Sequence, residues 1–121
     1  MKLKLHTELI IDSAHKLENY IGNCNTLHGH SWKIEIWFKG DDADLDKIGI
    51  LVDFGITKEL KNKLDHKYLN DVLGYNPTAE NLTKWIYNFI KNKINHNVIK
   101  LKVKVHECVV GKDTWCEGGD W

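Results

Sequence analysis

The run His28-Gly29-His30-Ser31-Trp32-Lys33-Ile34-Glu35-Ile36-Trp37-Phe38-Lys39 decides both the fold class and where the chemistry sits. Trp32, Ile34, Ile36 and Phe38 alternate with Ser31, Lys33, Glu35 and Lys39. A period of two is the mark of a strand with one buried face. Trp37 is the exception, an indole on the polar side. If the strand begins early, His28 and His30 share the parity of Trp32 and point side by side into the interior.

Upstream, Leu3, Leu5, Leu9 and Ile11 alternate with Lys2, Lys4, His6 and Glu8, which predicts a first strand. His15 has the parity of Ile11 provided Ser13 and Ala14 stay extended, so three imidazoles could converge between paired strands. Downstream, Gly40 to Asp44 reads as an acidic loop. Ile56, Leu60 and Leu64 recur every four residues and predict a helix over 55–64. Asn76-Pro77-Thr78 opens a second helix, with Leu82, Trp85, Ile86, Phe89 and Ile90 as its apolar stripe to about Ile94. Ile99, Leu101, Val103, Val105 and Val109 predict a third strand, whose buried parity also carries Glu107. The tail 113–117 is expected to add a short fourth strand, with Gly118-Gly119-Asp120 ending any regular pattern. The expected fold is a single α+β domain over 1–121, an antiparallel four-stranded sheet with two helices on one face in the order ββααββ.

Seventeen basic and seventeen acidic side chains balance. No global field therefore favours nucleic acid or an anionic membrane surface. The N-terminus lacks the apolar run of a signal peptide, and nowhere do about 18 apolar residues follow one another as a spanning helix needs. A soluble cytoplasmic protein is expected. Three cysteines without a Cys-x-x-Cys pair suit neither a disulfide framework nor a thiolate zinc knuckle.

Neutral imidazole is a good zinc ligand, and three histidines leave a fourth tetrahedral position for water or substrate. Against this stands the plainer reading of His-Gly-His as a polar turn entering a strand. Cys24, four residues before His28, is a ligand, a nearby thiol or a small buried hydrophobe. Beside zinc but not bound to it, its thiol would lose a proton near neutral pH. Asp65-His66 pairs a carboxylate with an imidazole that it can orient. Glu107, on a buried parity, must be paired, be protonated, meet a ligand or turn outward at a bulge. Cys108 and Cys116 read as packing residues, and His6, His96 and His106 as solvent-exposed.

Six segments taken together resemble the 6-pyruvoyl-tetrahydropterin synthase family, and within it the prokaryotic 6-carboxy-5,6,7,8-tetrahydropterin synthases of 7-deazaguanine (queuosine) biosynthesis. They are Asp12 to Leu17, Cys24 to His30, Val52-Asp53-Phe54, Leu64 to Asn70, Asn76 to Leu82, and the strand ending in Glu107. The resemblance implies the tunnelling fold (T-fold), with sheets joined edge to edge in a homohexamer, a dimer of trimers, and sites at subunit boundaries. It implies zinc on His15, His28 and His30, Cys24 as general base, and Asp65 with His66 as the partner acid-base pair. Glu107 would anchor the pterin with Thr78 and Glu80 nearby, and Lys16 would contact the phosphates. The implied reaction converts 7,8-dihydroneopterin triphosphate to 6-carboxytetrahydropterin with loss of acetaldehyde and triphosphate. A 6-pyruvoyl product, or a non-catalytic zinc-stabilised pterin-binding protein on the same fold, are the competing readings. The tail from Gly118 to Trp121 matches the family little.

Overall fold

The computed structural model describes residues 1–21, 25–108 and 111–121, so Cys24 and Val109 lie outside the described residues. Four strands form one antiparallel sheet in chain order: β1 (Lys2–His15), β2 (His28–Asp41), β3 (Lys100–His106) and β4 (Trp115–Gly119). Between β2 and β3 come α1 (Gly55–Leu64), α2 (Leu69–Leu73) and α3 (Ala79–Lys91).

The alternation read in the sequence becomes the core. Ile11 of β1, Trp32, Ile34, Ile36 and Phe38 of β2, and Leu101, Val103 and Val105 of β3 are fully buried. They meet Leu60 and Leu64 of α1 and Leu82, Ile86 and Ile90 of α3, which are also inaccessible. Each such side chain stabilises the fold by about 1.5–3 kcal/mol relative to leaving it in water. Thr78 caps α3 by accepting a hydrogen bond from the Asn81 N–H. That orders the helix start just beyond Pro77.

The first two strands are longer than the patterning alone indicated, and their ends matter most. Ser13 and Ala14 stay extended because a second segment grips the outer edge of β1: the Ala14 N–H donates to Lys67 O at 3.0 Å and Ala14 bridges Tyr68 in parallel. The Ser13 hydroxyl donates to Leu64 O, and Trp32 Nε1 donates to Ser13 O at 3.2 Å. The register then pairs His15 with His28 and Ser13 with His30.

Several expectations change. α2, a single turn closed by Gly74 in the left-handed region (φ 76°), is an additional helix. Five residues carry too little periodicity to stand out in a sequence. Gly40 and Asp41 belong to β2, and only Asp42–Asp44 turns away, as a 3-10 helix. α3 ends at Lys91 rather than Ile94.

The tail is regular where a break was expected. Gly118 and Gly119 lie inside β4, and Gly119 has φ 155° with Leu101 O only 2.4 Å from where a Cβ would stand. Glycine is needed there for the two backbones to close. Asp120 completes the seam, accepting from Leu101 N–H at 2.7 Å, from Lys91 Nζ at 2.6 Å and from the Tyr87 hydroxyl.

His106 is also corrected. Its parity is that of the sheet's helix-free face, yet it is 8% exposed. Asp113 from the β3–β4 connection meets its Nδ1 at 2.8 Å, and Glu35 of β2 meets its Nε2 at 2.8 Å. Parity reports which face a residue takes and not what a following loop lays over it. Trp37, the misplaced indole, lies on the same face between the His6 ring and the Lys102 ammonium. His96 is exposed, as expected, and Cys108 and Cys116 are half-buried. No helix among the described residues is long and apolar enough to cross a membrane.

Candidate metal centre

At the end of the sheet nearest the start of α3, His15, His28, His30 and Glu107 each offer a ligand atom, all within 4.8 Å of one another. Adjacent strands bring the histidines together: His15 faces His28 across the β1–β2 ladder, and His30 follows on the same face of β2. Trp32 lies beneath as a floor, edge-on to the rings of His15 and His30 at centroid distances of 4.9 and 5.3 Å.

Hydrogen bonds settle which nitrogens are available. His15 Nδ1–H donates to Pro77 O at 2.8 Å, and His28 Nδ1–H donates to Thr26 O at 2.6 Å. A carbonyl can only accept, so both rings carry their proton on Nδ1 when neutral. Their Nε2 lone pairs then face each other across 2.9 Å. Two acceptors at that distance require a cation between them. Among the described residues, His30 Nε2 is buried without a hydrogen-bond partner. An orphaned buried ring nitrogen beside two opposed lone pairs is what a metal would satisfy.

Burial works against a proton on two of the three rings. Burial lowers the pKa of His15 below the ordinary imidazole value, and the neighbouring His28 and His30 lower it further, against the opposing effects of the Pro77 hydrogen bond and Glu107. Burial likewise lowers that of His30, against the attraction of Glu107. Neutral imidazoles are the ligand form. For zinc bonds of about 2.0–2.1 Å, tetrahedral nitrogens stand about 3.3 Å apart, so the 2.9 Å between His15 and His28 opens by only a few tenths of an ångström. The residues fit a metal of that kind.

Glu107 lies just past the end of β3, its N–H donating to Thr114 O at 2.9 Å. Its Oε1 is 3.4 Å from His30 Nε2 and 3.7 Å from His15 Nε2. The carboxylate on a buried parity has therefore met the imidazoles.

The other residues singled out in the sequence take different places. Asp65 and His66 form a pair, Oδ2 to Nε2 at 3.5 Å, but outside the histidine cluster, on the flank of β1. Asp65 Oδ1 accepts from Asp12 N–H at 2.9 Å, and the His66 N–H donates to Asp12 O at 2.8 Å. His66 has φ 52°, and its side chain is 80% exposed. Thr78 adjoins the carbonyl that orients His15, with its hydroxyl engaged as the α3 cap. Glu80 is exposed in the first turn of α3. Lys16 is half-buried directly after His15. The carbonyls of Pro77 and Thr26 and the Trp32 floor escape a reading by residue type, since backbone oxygens carry no signature in a sequence.

Fold and centre define an α+β protein with a cluster of three histidines and a glutamate able to hold a metal at one end of its sheet. The pattern of the family described as 6-pyruvoyl tetrahydropterin synthase matches residues 4–117, and the chain belongs to that family. A 6-carboxy-5,6,7,8-tetrahydropterin synthase of Synechocystis is 35% identical over 91 residues, covering 69% of this chain and 70% of that protein. A dihydroneopterin monophosphate aldolase of Pyrococcus furiosus is 34% identical over 107 residues, covering 84% and 86%. The solved 6-pyruvoyl tetrahydropterin synthase of Caenorhabditis elegans superposes with a TM-score of 0.74 at 19% identity, over 98% of this chain and 96% of that one, so the two share the T-fold.

Proposed function

We propose that the protein is a zinc-dependent lyase that converts 7,8-dihydroneopterin triphosphate to 6-carboxy-5,6,7,8-tetrahydropterin, releasing acetaldehyde and triphosphate, in 7-deazaguanine (queuosine) biosynthesis in the cytoplasm. The observation that carries this reading is the convergence of three imidazole nitrogens with the Glu107 carboxylate. His15, His28 and His30 hold the metal. When bound, zinc supplies a Lewis acid that acidifies the carbon next to the side-chain hydroxyls.

The chain's own residues do the rest. The Cys24 thiolate takes the proton from the substrate side chain. Asp65 orients His66 as the second proton carrier. Glu107 accepts hydrogen bonds from the pterin ring N–H and amino groups, with Thr78 and Glu80 at the pocket's edge. Lys16 holds the phosphates as a point charge. This reading puts the complete site at a boundary between copies, and the position of Asp65 and His66 on the flank of β1, outside the cluster, supports it. A homohexamer, two trimers with sheets joined edge to edge, supplies that boundary and covers the sheet edges.

Incubation of the zinc-loaded protein with dihydroneopterin triphosphate is expected to yield acetaldehyde and 6-carboxytetrahydropterin. A 6-pyruvoyl product without acetaldehyde would overturn the reaction assigned here, and tight pterin binding without turnover would indicate a binding protein.

A second reading rests on the Pyrococcus furiosus protein, whose match spans more of this chain than the Synechocystis one. On that reading the substrate carries one phosphate, and a retro-aldol step breaks the first carbon-carbon bond of the side chain. Glycolaldehyde phosphate is then the product to detect, with dihydroneopterin monophosphate as substrate. The same proton-moving residues serve both reactions, so phosphate count and products discriminate where the site chemistry does not.

A further inference from the structure

β1 ends at His15, but its pairing does not. Beyond the strand, the backbone groups of Lys16 and Glu18 are met by two asparagine side chains. Lys16 N–H donates to Asn70 Oδ1 at 3.0 Å, and Asn70 Nδ2 donates to Lys16 O at 2.7 Å. Glu18 N–H donates to Asn76 Oδ1 at 2.8 Å, and Asn76 Nδ2 donates to Glu18 O at 2.9 Å. Together with the Ala14 N–H on Lys67 O, these bonds fall on residues 14, 16 and 18. Alternate residues bonded along one edge are the pattern of a strand partner, supplied here by a short backbone bridge and two carboxamides.

His15 lies between two of these fixed points. Its ring is held from the same turn, because Pro77, whose carbonyl accepts His15 Nδ1–H, directly follows Asn76. That turn is itself fixed: Asn76 O accepts from Asn81 Nδ2 at 2.9 Å and from Thr78 N–H at 3.0 Å. Asn76 and Pro77 thus grip the chain twice, once at the His15 imidazole and once at the backbone of Glu18.

We infer that Asn70 and Asn76 are positioning residues for the metal centre, whose paired bonds to Lys16 and Glu18 hold the backbone on the C-terminal side of His15 and thereby keep its Nε2 aimed between His28 and His30. The inference rests on the metal reading of the histidine cluster. Only a carboxamide suits the role. A carboxylate keeps the acceptor for the backbone N–H but loses the donor for the carbonyl, and an alanine loses both.

The test compares Asn70→Ala, Asn76→Ala, Asn70→Asp and Asn76→Asp with the parent chain and with Asp120→Asn, which removes hydrogen bonds from the β4 seam instead. Zinc affinity is measured by competition with a chromophoric chelator, the visible absorption of the cobalt(II)-loaded proteins is recorded, and thermal midpoints are taken on the metal-free proteins. Both alanine variants are expected to bind zinc about 10–100-fold more weakly, the range for groups that orient a ligand, with a weakened or shifted cobalt band. The aspartate variants fall between these and the parent. Asp120→Asn lowers the thermal midpoint while zinc affinity and the cobalt band stay where they are.

Zinc affinity within twofold of the parent and an unchanged cobalt band in both alanine variants would overturn the inference. So would an equal fall in affinity for Asp120→Asn, because the effect would then track general stability. If the alanine variants do not fold, the aspartate pair decides by the same two readouts, and parent-like values overturn it. Failure of the parent itself to bind zinc or cobalt would instead overturn the metal reading on which the inference rests.

Discussion

His15 Nε2 and His28 Nε2 stand 2.9 Å apart, each on a ring whose other nitrogen donates to a backbone carbonyl. The arrangement is pre-set for a cation, and the fold holds two lone pairs together at a cost while none is bound. Metal binding should therefore be coupled to stability. At metal one hundred times its Kd, binding to the native state alone adds about 2.7 kcal/mol. Chelator treatment is expected to lower the thermal midpoint and zinc to restore it. His15→Ala is expected to abolish that response, as measured by calorimetry with and without zinc.

Glu107 separates two roles by experiment. Its Oε1 lies 3.4 Å from His30 Nε2, so it could hold the metal, the pterin, or first one and then the other. Glu107→Gln keeps the shape but turns one acceptor into a donor. With pterin anchoring as its main task, zinc content is expected to stay near one per chain. Because a hydrogen bond to a charged group contributes about 1.5–3 kcal/mol, KM should rise by roughly ten- to a hundredfold. Loss of zinc with little change in pterin affinity would make Glu107 a ligand instead.

Much of this site was legible because strand parity is a hard constraint. Trp32, Ile34, Ile36 and Phe38 fix which face of β2 is buried, and the same parity carries His30 and His28 onto it. Convergence with His15 then depends only on Ser13 and Ala14 staying extended. What fixes them lies over fifty residues away, at Leu64 and Lys67. The role of Pro77 O was illegible for a similar reason, since an imidazole can be oriented by any carbonyl that the fold brings near. His106 was misread because the loop bearing Asp113 folds back over a strand face that would otherwise be solvated. α2 was missed, and the fourth strand was expected over 113–117 rather than Trp115–Gly119, because one turn of helix and a strand ending in two glycines lack hydrophobic periodicity.

His106 should consequently behave as a structural residue. Its two ring nitrogens meet Asp113 and Glu35, both at 2.8 Å, and its side chain is 10% exposed. Replacing it by alanine removes both bonds and leaves Glu35, whose side chain is 15% exposed, with fewer partners. An unsatisfied buried group costs about 1–3 kcal/mol. Urea denaturation of the zinc-loaded His106→Ala protein is expected to show a loss within that range, whereas a surface histidine such as His96 should show almost none on the same substitution.

Asp120 gives the clearest dependence on pH. Burial acts to raise its pKa, but hydrogen bonds from Lys91, Tyr87 and the Leu101 N–H, with the Lys91 charge, outweigh that and hold it below the ordinary carboxylate value. The unfolded chain then binds the proton more tightly than the folded one. The stabilisation is fully present above about pH 4, the unfolded value, and is lost as the pH falls through the lower folded value. Its partner shifts the other way: the Tyr87 hydroxyl is pushed up to about 12, first by its hydrogen bond to Asp120 and then by burial. That contribution is complete below about pH 10 and disappears as the pH rises through about 12. Asp120→Asn is expected to cost about 2 kcal/mol near neutrality, to flatten the fall in stability below pH 4, and to return Tyr87 towards the ordinary tyrosine value. Urea melts at stepped pH read the first two effects, and ultraviolet titration of tyrosinate in the folded protein reads the third. An unchanged tyrosinate titration in the variant would show that Asp120 does not hold the Tyr87 proton in solution, and that the β4 seam is closed by Lys91 and the Leu101 N–H alone.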